Sequence, residues 1–453
     1  MESLWIQNGN VVLPDRVVKA SLLVQDGRIA GIFEGGTAPA DCQVVDAQGK
    51  MVLPGLIDTH VHMTDPGPLN YREDWAHGSR CAASGGITTI ADMPLPSISV
   101  LGKEGFQAKY ETASANSVVD FALWGGISPK NLDRVQELNE LGCVGYKGFM
   151  CFATDEYPQI TDGYLVEGME LVKQFDGLIG VHAENAEVAG MRCDKFSKAG
   201  VTDEAMFDEA RPWWTEFEAI QRAVLFAKVT GARLEVCHTT IHQGMEFLKK
   251  AKAEGVHVYV ESCPHYLIFD KNILREKKAY AKCTPPFRSR ENVEKLWDYV
   301  LDGTVDVLGS DHGPFTDEEK VAQNDFWKEF CGFGCFDVTL AAMITEGVHK
   351  RGLSWCRLAQ LMSTNAAKMF QLFPKKGSLL PGSDADIVLV DPEAEWVYDG
   401  AKSFSKTKSV KGIYQDMKLK GKVAATYVRG RLVYDGKNIA APSGYGEFVR
   451  RNP

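Results

Sequence analysis

The sequence predicts an α/β chain, with a parallel (β/α)8 barrel in the middle and a small β domain assembled from both ends. Three observations predict it. Over residues 54–375 short apolar runs alternate with longer helical patterns, the sequence form of strand, crossover helix and parallel strand. Several runs end in a polar residue: His60 and His62, Lys147, His182, His238 and Asp311. The carboxyl ends of the strands are where such a barrel carries its active site. Residues 1–53 and 376–453 read differently, as short alternating segments broken by turn pairs.

Taken in order, Trp5-Ile6, Val11-Val12-Leu13, Ala20 to Val24 and Arg28 to Ile32 are strand-like, and Asn8-Gly9 and Asp26-Gly27 suggest tight turns in a small antiparallel sheet. Leu53-Pro54-Gly55-Leu56-Ile57-Asp58-Thr59-His60-Val61-His62 then reads as a buried strand. Side chains alternate along a strand, so His60 and His62 point the same way. Further strands are expected over 86–92 and 256–261, and helices over 217–228 and 357–369. The stretches 270–280 and 316–330 are polar and read as loops that shape substrate entry. Gly85-Gly86 and Gly125-Gly126 read as tight backbone turns. Residues 386–391 and 424–434 give strands and an Arg429-Gly430 turn that complete the terminal β domain.

With 453 residues, 45% of them hydrophobic, the chain can bury a large core. Its 50 basic and 60 acidic residues leave a formal charge of −10 without a basic block, which argues against a nucleic-acid partner. No segment has the form of a signal peptide or the length of a membrane span, so a cytoplasmic protein without a membrane partner is expected. Eleven cysteines, an odd number lacking a Cys-x-x-Cys, are expected to be reduced.

Imidazoles and a carboxylate gathered at strand ends suit a borderline divalent metal, zinc first, with cobalt, manganese or iron also fitting. Lys147 joins such a set only as a carbamate formed with CO2 (N6-carboxylysine), which turns a cation into a two-oxygen anion able to bridge two metals. Two cations about 3.5–4 Å apart lower the proton affinity of a water they share. Asp311 would hold one of them and pass a proton from water to a departing amide nitrogen. No Ser/His/Asp triad is legible. His77, His257 and His349 lie in ordinary contexts; His242 and His312 are placed to orient neighbouring ligands; His265 suits a structural hydrogen bond.

The run 54–62, the segments Gly85-Gly86-Ile87-Thr88-Thr89, Val181-His182-Ala183-Glu184-Asn185, Glu261-Ser262-Cys263-Pro264-His265-Tyr266 and Ser310-Asp311-His312-Gly313-Pro314, and the tail motif 381–388 resemble the cyclic amidohydrolases of the amidohydrolase superfamily. That group includes dihydroorotases, hydantoinases, dihydropyrimidinases and allantoinases. The resemblance implies a distorted (β/α)8 TIM barrel with a β-sandwich built from both termini. It implies that His60, His62, carboxylated Lys147 and Asp311 hold one metal and that Lys147, His182 and His238 hold the other. It also implies a homotetramer acting on a small cyclic ureide, with Thr64 and groups near Ser262 and Thr284 touching the substrate.

Within the group these segments are most similar to allantoinases. Dihydroorotases typically place an arginine where this chain has Thr64. Hydantoinases typically carry a tyrosine soon after the lysine, where this chain reads Phe149-Met150-Cys151-Phe152. The Cys331 to Phe336 segment departs from the glycine-pair pattern of both relatives. A hydantoinase or dihydropyrimidinase is the alternative activity. A metal-free scaffold of the same fold is disfavoured by the intact set of six ligand types.

Overall fold

The computed structural model describes residues 3–451. Eight parallel strands form the barrel in chain order: Leu56–Val61, Ile87–Asp92, Asp120–Leu123 continued by Gly125–Gly126, Tyr146–Phe149, Leu178–His182, Arg233–Val236, Val258–Ser262 and Val307–Leu308. Nearly all their residues are buried, because helices cover the outside while side chains fill the inside. A bridge between Val61 and His312, with the His62 N–H donating to the His312 carbonyl at 2.8 Å, closes the ring. The barrel is distorted: the register breaks twice between the first two strands, and the eighth is only two residues long.

Both ends of the chain build one eight-stranded sheet, in the order Arg431–Tyr434, Lys418–Val428, Ile387–Val397, Met51–Pro54, Ser3–Val12, Val17–Gln25, Arg28–Phe33, with Cys42–Asp46 also paired to Ser3–Val12. The β-sandwich is thus one continuous sheet folded over a separate core that includes Leu4, Leu22, Val52, Ile387 and Tyr427. It is mixed, not purely antiparallel, since Ser3–Val12 pairs in parallel with Cys42–Asp46 and Met51–Pro54. Asp26-Gly27 is a two-residue hairpin turn with φ of 49° and 75°, the left-handed pair such a turn needs.

Two glycine expectations are corrected. Asn8-Gly9 lies inside Ser3–Val12 as a bulge, with Asn8 at φ 58° and the register shifting between Ile6 and Gly9. Gly125–Gly126 is strand, not turn; a Cβ on Gly126 would fall 2.6 Å from Leu101 and the Tyr157 hydroxyl. Helix Trp213–Thr230 extends the expected one at both ends and stops at Gly231, at φ 72°. The stretch 316–330 carries only one helical turn, Glu319–Val321, and reaches the cavity at the carboxyl ends of the strands through Phe330.

A buried ion cluster joins the sheet to the barrel. The Lys376 ammonium lies 2.5 Å from Asp120 of the third barrel strand, 2.7 Å from Asp386 and 3.0 Å from Asp384, and Arg429 also pairs with Asp120.

Candidate metal centre

His60 and His62 leave the first strand on one face, as their spacing requires. Each imidazole is fixed by its outer nitrogen. The Nδ1 of His62 lies 2.9 Å from the Leu95 carbonyl, which can only accept, so the ring proton sits there and Nε2 keeps its lone pair. The Nδ1 of His60 lies 2.9 Å from Glu261 Oε2 in the same sense. The two Nε2 atoms then face one oxygen of Asp311, at 3.5 and 3.4 Å. His60, His62 and Asp311 thus offer three donor atoms within 4.8 Å of one another.

Lys147, His182 and His238 form the other half. Lys147 pairs across the sheet with Gly180, and Phe149 with His182, so His182 ends its strand while Lys147 sits just inside the end of the neighbouring one, Tyr146–Phe149. His182 Nε2 lies 2.7 Å from Glu184, itself gripped by Arg211 through two bonds of 2.9 and 2.6 Å. The rings of His182 and His238 are 4.5 Å apart, and those of His238 and His60 are 5.2 Å apart, so the two halves are continuous. His238 and Asp311 adopt φ of 35° and 53°, a conformation non-glycine residues hold only where their surroundings enforce it.

The electrostatics suit cations. Burial tends to raise the Asp311 carboxyl, but His60 and His62 hold it well below the usual carboxylate range. Burial, with His182, Lys147 and His60 nearby, drives His238 well below the ordinary imidazole value, which keeps it neutral and able to ligate. Burial and Lys147 lower His60 likewise. His182 is pushed up to about 9: burial pulls it down, and Cys151 and Glu184 outweigh that. Cys237 lies close to His60 and Glu261, but burial pushes its thiol far up, which argues against a thiolate ligand.

Among the candidate ligands, two buried atoms lack a hydrogen-bond partner: Lys147 Nζ and His238 Nδ1. An ammonium left without a hydrogen bond is costly in such surroundings. The Lys147 orphan fits a metal site, as the nitrogen that CO2 would convert to an anionic ligand.

Sequence reasoning passed over Glu261, which accepts from Thr59 at 2.7 Å and the His238 N–H at 2.9 Å besides holding His60. The signal was a carboxylate inside the apolar run 256–261, yet its partners are 23 to 202 positions away. Glu184 stands two residues after His182, but its role was not read from the sequence, and neither was that of Arg211, 27 positions further on. His312 hydrogen-bonds Glu73, whereas His242 pairs with Asn292 at a helix start, outside the cluster. The His265 ring makes no hydrogen bond, contrary to expectation; both ring nitrogens are unpartnered, and it packs against Tyr266 and Phe333.

Above the cluster lies a cavity of about 440 Å³. Thr64 and Thr284 line it, but the Thr64 hydroxyl is taken up by the Glu73 carbonyl at 2.6 Å. Ser262 is not in its wall: the hydroxyl donates to the Thr239 carbonyl, and its own carbonyl accepts the Gly309 N–H. Most of the wall is apolar, including Leu95, Phe152, Phe315 and Phe330. Arg72 also lines it, with its guanidinium bound to Glu319 at 2.6–3.0 Å and lying over the Phe315 ring at 4.4 Å.

Comparison with known proteins agrees with this geometry. The chain is 34% identical to an allantoinase of Salmonella newport (strain SL254) over 458 aligned residues, covering 99% of each protein. Among solved structures it is similar to the L-hydantoinase (dihydropyrimidinase) of Arthrobacter aurescens, with a TM-score of 0.95, 35% identity and 100% of both chains covered. A dihydropyrimidinase of Brevibacillus agri NCHU1002 gives a TM-score of 0.91 at 29% identity, covering 99% of this chain and 98% of that one. Residues 51–433 match the Amidohydrolase family, and the chain belongs to it.

Proposed function

We propose that this hydrolase of cyclic amides opens the ring of allantoin to give allantoate, a step of purine breakdown. The observation that carries the reading is the convergence of His60, His62, His182, His238 and Asp311 around the buried, unpartnered Lys147 amine. Whole-length likeness to an allantoinase supports the choice of substrate.

In this reading His60, His62 and Asp311 hold one divalent cation, zinc first, and His182 with His238 holds a second. Lys147, once carboxylated, would supply oxygen ligands for the cations. Two such cations would acidify a water and polarise the amide carbonyl. Asp311 accepts the proton of the attacking water and delivers it to the ring nitrogen as the carbon–nitrogen bond breaks. Glu261 keeps His60 in the tautomer that leaves Nε2 unprotonated. Thr284 and backbone groups of the wall orient the ring. The reading includes a homotetramer in the cytoplasm, a setting supported by eleven cysteines that are all free thiols.

Likeness to solved hydantoinase and dihydropyrimidinase structures supports a second reading, hydrolysis of hydantoins or dihydropyrimidines. Steady-state kinetics of metal-loaded protein on allantoin, hydantoin, dihydrouracil and dihydroorotate tests both. Higher kcat/KM for hydantoin or dihydrouracil than for allantoin overturns the allantoin assignment and leaves the metal chemistry in place.

A further inference from the structure

Glu73 lies outside the metal cluster, on the loop that follows His62, and is fully buried. Its carboxylate gathers groups from distant parts of the chain. Oε2 accepts the Ser405 hydroxyl at 2.5 Å and faces His312 Nε2 at 3.3 Å, while Oε1 accepts the Lys406 N–H at 3.0 Å. The loop beneath it is pinned, since the Thr64 hydroxyl donates to the Glu73 carbonyl and accepts its N–H at 3.0 Å.

His312 follows Asp311 directly and is held on every side. Its Nδ1 accepts the Cys335 N–H at 3.1 Å, which leaves the ring proton on Nε2, the atom that faces Glu73. The ring stacks on Phe336 at 3.7 Å and 9°. Its N–H donates to Ser310 Oγ at 3.0 Å and its carbonyl accepts the His62 N–H at 2.8 Å. One residue therefore ties the strand end that carries Asp311 to the strand end that carries His62. Asp311 itself sits at φ 53°, so something must hold it there.

We propose that Glu73 is a positioning residue for the hydrolysis: through His312 it aims the Asp311 carboxylate, and through Ser405 and Lys406 it makes the C-terminal region part of the active site. This rests on the reading of Asp311 as metal ligand and proton carrier. Groups that orient a ligand without touching the metal are typically worth roughly 10- to 100-fold in activity or metal affinity. Glu73 acts on the aim of Asp311 during proton transfer, so the loss belongs in kcat and not in KM.

The test uses Glu73→Gln, Glu73→Asp and Ser405→Ala in the full chain, loaded with cobalt. Metal content, the visible cobalt spectrum, kcat and KM are measured with whichever cyclic amide the wild type turns over best. Glu73→Gln has one acceptor oxygen for three donors. It is expected to keep its metal, shift the cobalt bands, and lose roughly 10- to 100-fold in kcat with KM within about twofold. Glu73→Asp is expected to recover part of the loss, and Ser405→Ala to move the same way by less. Wild-type kcat and an unchanged cobalt spectrum in Glu73→Gln overturn the proposal, as does a loss confined to KM. If Glu73→Gln does not fold, the same result in Ser405→Ala overturns it. Undiminished turnover in Asp311→Asn, or failure of the wild type to bind cobalt, counts instead against the functional reading beneath it.

Discussion

Lys147 concentrates the chemistry of the site in one atom. Its Nζ is buried without a hydrogen-bond partner, close enough to His60 and His238 to lower both, where a permanent cation would repel the metals those rings suit. Lys147→Ala is expected to lose metal and near-complete activity together, and short carboxylic acids added with metal should restore part of both. The mass of the intact active protein, with or without one CO2, checks the carbamate directly. His60→Ala, His182→Ala and Asp311→Ala are likewise expected to abolish turnover, measured alongside metal per chain. Glu261→Gln is milder: it keeps the shape but sets an amide against the His60 Nδ1, and about a 10- to 100-fold loss in metal affinity or activity is expected. The ligand candidates were legible because each ends, or nearly ends, an apolar run. Glu261, Glu184 and Glu73 were not singled out, because their roles depend on partners brought near only by folding.

The barrel strands were legible as elements for a simple reason. Strands buried on both faces read as continuous apolar runs, and the crossover helices between them keep a separate period. Asn8-Gly9 misled because Asn and Gly favour left-handed backbone equally in a hairpin turn and in a bulge, and only the long pairing with Val17–Gln25 separates the two. The junction between sheet and barrel was silent in sequence, since its charges lie at positions 120, 376, 384, 386 and 429. Lys376→Met leaves buried aspartates short of a cation and is expected to cost about 3–5 kcal/mol. Its pH dependence has a definite sign. Lys376 sits above its ordinary value of 10.5, because Asp386 and Asp384 outweigh the burial that pulls it down. Its contribution is complete below 10.5 and fades as pH rises through the higher folded value. Asp384 sits below 3.8: burial raises it, and Lys376 and Lys375 outweigh that, so its contribution is complete above 3.8 and fades as pH falls through the lower folded value. The stability gap between wild type and Lys376→Met, from urea unfolding, should be flat through neutral pH and shrink toward both extremes.

At the scale of the whole molecule, substrate choice belongs to a cavity assembled from separate regions. Thr64 and Arg72 come from the loop after the first strand, Phe152 from the loop after Lys147, and Phe315 and Phe330 from the stretch across the top. Arg72 fastens that stretch by gripping Glu319, and Phe315 and Phe330 stack on each other at 5.0 Å beside it. Arg72→Met is expected to free the stretch and raise KM without changing metal content, which separates entry from chemistry. The aromatic wall does not by itself exclude allantoin, because a ureido group is planar and can lie flat against an aromatic face while its edges reach water or backbone. An unsubstituted ring leaves that wall unfilled and forfeits the contact. A few well-packed atoms in such a pocket are worth roughly 1–3 kcal/mol, or about 10- to 200-fold in discrimination. The kcat/KM for allantoin is therefore expected to exceed that for hydantoin and dihydrouracil by at least about tenfold, and Phe330→Ala to narrow the ratio by weakening allantoin alone. If Phe330→Ala lowers all three equally, the wall acts as a lid that excludes water and does not read the substituent.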